Sequence, residues 1–122
     1  TDEDLSKINV IIDELSYFCE IFKENNIEIS PRINLMMQKY LITGVKLFED
    51  TETTAKEFVA LDYAISQKLL PKINGYGQEY KENFLDLINE KFDKNNMMKC
   101  KSIIDRIIKK GKNNMNYYQF FS

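Results

Sequence analysis

The sequence predicts an all-α fold, a compact bundle of about five helices forming a single helical domain over residues 1–122. Three observations predict it. Apolar residues recur at i, i+3, i+4 and i+7 through most of the chain. Period-two alternation, the signature of strands, is nearly absent. Capping and helix-breaking residues cut the periodic pattern into five stretches. A 122-residue chain that is 43% hydrophobic, with 7 Tyr and 8 Phe, is long enough for one real core.

The first helix is expected over about residues 3–25, with Leu5, Ile8, Ile11, Ile12, Leu15, Phe18, Cys19 and Phe22 as its apolar set and Asn25-Asn26 as its stop. A short extended link, Ile27-Glu28-Ile29, leads to Ser30-Pro31. Serine there is a good N-cap and proline a good first helical residue. The second helix then buries Ile33, Met36, Met37, Tyr40, Leu41, Gly44 and Phe48. Thr54 and Glu57 have capping-box spacing and place the start of a third helix at Thr54. That helix turns Phe58, Leu61, Ile65 and Leu69 inward, with Tyr63 and Leu70 as further candidates, and closes at Pro71, which lacks a backbone donor and restricts the residue before it. Gly75-Tyr76-Gly77 reads as a loop. A fourth helix follows over about 78–93, with Tyr80, Phe84, Leu87, Ile88 and Phe92 inside. The fifth spans about 97–110, burying Cys100, Ile103, Ile104, Ile107 and Ile108, with Gly111 at the C′ position. The tail Tyr117, Tyr118, Phe120 and Phe121 is aromatic enough to be expected back on the bundle.

Charge is nearly balanced, at 17 basic and 19 acidic residues, so a general grip on nucleic acid is not indicated. Its distribution is lopsided. Residues 1–57 hold 6 basic and 12 acidic side chains, and residues 58–122 hold 11 basic and 7 acidic. That layout suits docking on a protein surface, and equally a bundle with unevenly solvated faces. Two cysteines are too few for a disulfide framework and are expected reduced, as in a cytoplasmic protein. No apolar run approaches the ~20 residues that span a bilayer, and no signal peptide is visible. The chain opens at Thr1 rather than methionine, as a piece of a longer protein or a processed terminus would.

Little catalytic chemistry is available. Without histidine, the commonest general base and metal ligand is missing, and with it every Ser-His or Cys-His pair. Neither a zinc-ligand spacing nor a Walker A sequence occurs. Gly75-x-Gly77 ahead of a helix is better explained by turn geometry than by phosphate binding. Arg32 is the sharper case. Only Arg32 and Arg106 of the 17 cations are arginine, and Arg32 falls as the second residue of a helix. A cation there opposes the positive end of the helix dipole. Two arrangements relieve this: a carboxylate such as Glu28, or a bound anion contacting both the guanidinium and the free N–H groups.

Residues 61–75, Leu-Asp-Tyr-Ala-Ile-Ser-Gln-Lys-Leu-Leu-Pro-Lys-Ile-Asn-Gly, resemble the C-terminal helical lid of McrB-like AAA+ NTPases, the motor subunits of modification-dependent restriction systems. Three segments carry the resemblance, over roughly residues 15–121. Ile29-Ser30-Pro31-Arg32-Ile33 looks like the start of the lid helix that bears the sensor 2 arginine, and Arg32 is the matching position. The stretch Gln67-Lys68-Leu69-Leu70-Pro71-Lys72-Ile73 with Gly75 is similar to the family's Gln-Arg/Lys-x-Leu-Pro-Arg/Lys-x-x-Gly element. Arg106-Ile107-Ile108-Lys109-Lys110-Gly111 looks like the family's last helix, which closes in glycine before aromatics. The sequence departs from the pattern at Pro31, where an aromatic is common, and at Lys68 and Lys72, where arginine is common.

The resemblance implies a lid whose parent hydrolyses GTP or ATP with Mg and assembles as a ring beside a McrC-like nuclease. Arg32 would reach the nucleotide's terminal phosphates. Lys68 and Lys72 are candidates for subunit or nucleotide contact, with surface or subunit-contact roles favoured over the nucleotide. The nucleotide-binding core would lie elsewhere in the same chain, and DNA recognition in another domain. The other reading of the same composition is a free-standing helical protein–protein interaction module without catalysis.

Overall fold

Small polar residues set the ends of most helices. The structure is a computed structural model describing residues 1–121. Helix α1 (Asp2–Glu24) begins on Thr1, whose hydroxyl accepts from the Asp4 amide at 3.1 Å, and Asp2, Glu3 and Asp4 complement the dipole in the first turn. It ends in two reversed bonds: the Ile27 amide donates to Phe22 O at 2.9 Å and the Asn26 amide to Lys23 O at 3.1 Å. Asn26 supplies the left-handed residue, φ 65°, that this closure requires. Helix α2 (Pro31–Leu47) starts as the sequence predicts, with Ser30 Oγ accepting from the Ile33 amide at 3.2 Å.

Helix α3 (Lys56–Lys68) runs into a single 3₁₀ turn, Leu70–Lys72, that contains Pro71. Strand β1 (Asn74–Tyr76) follows. Helix α4 (78–94) is α-helical over Gln78–Tyr80, π-helical over Lys81–Leu85 and α-helical again over Asp86–Lys94. Asn96, φ 54°, closes it as Asn26 closes α1, with the Met97 amide donating to Phe92 O at 2.9 Å. Helix α5 (Met98–Lys112) and strand β2 (Tyr117–Gln119) complete the chain. The two strands pair antiparallel, with Gly75 opposite Tyr118.

Helix α3 is the hub, packing on α1, α2 and α5. Its approach to α2 is close: a Cβ at Gly44 would lie 2.8 Å from the Ala60 Cβ. An aromatic column ties α1 to α4. Phe18 stacks on Phe92 with centroids 5.4 Å apart, and Phe22 meets Phe84 edge-on at 4.9 Å. Such pairs contribute about 0.5–1.5 kcal/mol each beyond their area. Between α3 and α5, Asp62 accepts from the Lys99 and Cys100 amides at 2.9 and 2.8 Å. A carboxylate on one helix thus caps the N-terminus of another, replacing a local capping residue.

Several expectations are corrected. The third helix begins at Lys56 rather than Thr54, and no capping box forms. Asp50 Oδ1 accepts from the Lys56 amide at 2.8 Å, while the Thr54 hydroxyl donates to Asn96 O at 2.8 Å. Glu57, freed from capping, is buried against the bundle. Leu5, Met36, Tyr40 and Tyr63 are exposed, because their positions lie at the rim of each helix's apolar arc. The expected loop at 75–77 is a strand and a turn, with Gly77 at φ 106° heading α4.

Gly111 is not a C′ residue but lies inside α5. Its lack of a side chain admits the Tyr118 ring: a Cβ there would sit 2.0 Å from Tyr118 Cδ1. The aromatic tail returns only in part. Tyr118 is fully buried and Phe120 packs on the core, where Arg106 lies over its ring at 5.3 Å, but Phe121 is exposed. Gly111→Ala should therefore destabilise the fold by about 1–3 kcal/mol in urea unfolding, the usual cost of overpacking. An exposed helical glycine would shift the other way, gaining up to about 1 kcal/mol, so the sign alone decides.

Candidate functional site

The chain reversal between α1 and α2 and the stretch after Pro71 meet across an open cleft of about 610 Å³. Residues 25–28 form one wall, and Lys72, Asn74, Gly75, Tyr76 and Tyr80 form the other. Local physics builds both walls. Asn26 in the left-handed region turns the link outward, and Pro71 ends α3 so that Lys72 and Asn74 emerge at the surface. Gly75 admits the Tyr80 ring, since a Cβ there would lie 2.5 Å from Tyr80 Cε1. The Tyr80 hydroxyl is buried without a hydrogen bond of good geometry among the described residues. Burial pushes it up to about 12, against a smaller opposing pull from the Asn74 backbone.

Arg32 stands where the sequence places it, second in α2, and is exposed. The first turn of α2 holds no acid, and among the described residues neither Glu28 nor any other carboxylate pairs with Arg32. Lys72 is exposed on the cleft wall. Lys68 is also exposed, but borders a separate, smaller cleft of about 150 Å³ with Met36, Tyr40, Tyr63 and Gln67. The two clefts share no residue, so the three cations do not converge on one site.

Sequence reasoning missed Asp62, whose part in capping α5 depends on a contact across 37 and 38 positions. It also passed over Lys39 and Lys46, which follow Arg32 at heptad spacing along α2. That spacing was the available signal.

Cys19 and Cys100 are both free. Burial pushes the Cys19 thiol from the ordinary 9.0 up to about 11. Burial first, then the Asp62 charge, raises Cys100 further, and its thiol donates to Asp62 O at 3.3 Å. Neither is a reactive thiolate near neutrality. No group of three or more possible metal ligands occurs among the described residues.

These features define a small all-α domain with surface clefts and exposed cations. A family described as Domain of unknown function (DUF8727) matches residues 2–117, and the chain belongs to that family. No curated protein and no solved structure matches the chain. No helix among the described residues is long and apolar enough to cross a membrane.

The raised thiol gives a signed expectation. The folded chain holds the Cys19 proton more tightly than the unfolded chain. The associated stability is full below pH 9.0 and is lost as pH rises toward about 11. At neutral pH, Cys19 should react with iodoacetamide about 100-fold more slowly than free cysteine. Cys19→Ala should flatten the alkaline loss of stability, and an unchanged pH profile in that variant would assign the loss elsewhere.

Proposed function

We propose that this chain is the C-terminal helical lid of a McrB-like AAA+ NTPase in a DNA restriction system. The observation that carries the reading is a juxtaposition. The link leading to Arg32 and the Leu-Pro-Lys-Ile-Asn-Gly block are far apart in sequence, yet they border one cleft. The second lies within a segment that carries the resemblance; residues 25–28 immediately precede the other, Ile29–Ile33, and Arg32 itself stands beside the cleft lining rather than in it. Arg32 adds a guanidinium, unneutralised among the described residues, at the positive end of α2. A phosphate at that position gains the arginine together with first-turn N–H groups.

In this reading Arg32 stabilises charge on the terminal phosphates of GTP or ATP, whose Mg and remaining contacts come from the AAA+ core of the same longer chain. Its contact with the phosphate links nucleotide state to lid angle. Lys68 and Lys72 serve contacts with neighbouring subunits of a ring, beside a McrC-like nuclease subunit, and the lid itself makes no grip on DNA.

A second reading, a helical protein–protein interaction module without catalysis, is favoured by a different observation. Apolar side chains stand out on α2, with Leu35 51% and Leu47 73% exposed.

The reading frame upstream of Thr1 separates the two. A Walker A sequence in the same frame is expected of the motor, and its absence there would leave the interaction module. In the intact protein, Arg32→Ala should lower kcat for nucleotide hydrolysis by about 10-fold or more. Because Arg32 is exposed, unfolding of the domain should change by less than about 0.5 kcal/mol. Hydrolysis at the native rate would remove the sensor role from Arg32.

A further inference from the structure

The outer face of α2 carries a pattern of which the nucleotide reading uses only Arg32 and the smaller cleft only Tyr40. From Pro31 to Leu47 the helix contains no carboxylate. Its cations, Arg32, Lys39 and Lys46, recur every seven residues and are all exposed. Among the described residues none of the three is in an ion pair. Apolar side chains flank this stripe at the same period: Leu35 and Ile42 on one side, Tyr40 and Leu47 on the other, from 36% to 73% exposed. A heptad-spaced stripe on a helix face matches another helix lying nearly along it.

The outer face of α1 carries the complement. Asp13 and Glu20 are seven residues apart, exposed, and without an ion pair among the described residues. Val10 and Tyr17, also seven apart, stand beside them at 51% and 45% exposure. The nearby cation over the Tyr17 ring, Lys91, is already neutralised by Glu14 at 3.2 Å. Seven residues of helix rise about 10.5 Å, so both charge and apolar spacing coincide on the two faces.

We infer that the basic–apolar face of α2 docks on the acidic–apolar face of α1 in a second copy of this chain. The contact is heterologous: each copy offers one face and receives on the other. Such an interface closes into a ring or continues as a filament rather than stopping at a symmetric pair. It involves no residue of the cleft at 25–28 and 72–76, takes in Tyr40 from the smaller cleft and shares Arg32 with the nucleotide reading, so its test rests on Lys39 and Lys46. Opposite charges set its register and give it a strong salt dependence.

Sedimentation of the 122-residue chain tests this, with Arg32 left intact. At about 50 mM salt the mass should climb with concentration to at least about twice the 14.4 kDa monomer, and at about 500 mM it should return to monomer. The variants K39E/K46E and D13K/E20K alter only exposed side chains, so both should keep the native circular dichroism. Each alone should stay monomeric, and an equimolar mixture should associate. A wild-type chain that is monomeric at both salts overturns the proposal. So does a wild-type dimer that the α1 variant leaves intact, which would indicate a symmetric α2 contact. Sedimentation with phosphatidylserine vesicles by an otherwise monomeric chain would assign the α2 face to a lipid surface instead.

Discussion

The contact between Gly111 and the Tyr118 ring organises the C-terminal half of this fold. Tyr118 is fully buried, and its ring occupies the space where a side chain on Gly111 would stand. That seats β2 on α5 and presents its edge to β1. Pairing with β1 then fixes the stretch after Pro71, and Gly75 within it accepts the Tyr80 ring at the head of α4. Two glycines thus act through what they leave empty, each accommodating one tyrosine. The aromatic column from α4 to α1 extends the same chain of contacts across the bundle.

Around this interior the surface is organised by charge. The acidic first half of the chain places Asp13 and Glu20 outward on α1, while α2 shows cations alone. Electrostatic self-complementarity of this kind selects partner and register more than it adds affinity, and salt weakens it. The cleft between residues 25–28 and 72–76 lies elsewhere, where the chain reverses. Loops held by rigid helices are where binding residues concentrate. A nucleotide-facing role for Arg32 at the start of α2 and a copy-facing role for Lys39 and Lys46 further along it are physically compatible.

Much of the helical framework was legible because it rests on local rules. Ser30-Pro31, Asn25-Asn26 and Pro71 act through their own backbone preferences, and helices start and stop at or beside them. Capping at α3 was misread because Thr54 and Glu57 have the right spacing while Asp50 and Asn96 offer better partners in space. Gly111 was misread for a related reason. A glycine near a helix end normally signals a left-handed residue, but here the pressure on it comes from Tyr118, seven positions away. The same limit applied to the candidate site. Arg32 was identifiable from its position in α2, whereas nothing local says that Lys72 borders a cleft with the 25–28 link and Lys68 does not.

The sequence by itself determined the fold class, the existence of the five helices and the charge of their faces. Periodicity, caps and breakers act within a turn or two, and a single chain carries that information completely. Only the tertiary structure decided which helix caps which, that β1 pairs with β2, and which exposed cations are left unpaired. Those outcomes depend on contacts between residues tens of positions apart. They are settled by shape, by competition for hydrogen bonds and by what each glycine leaves empty.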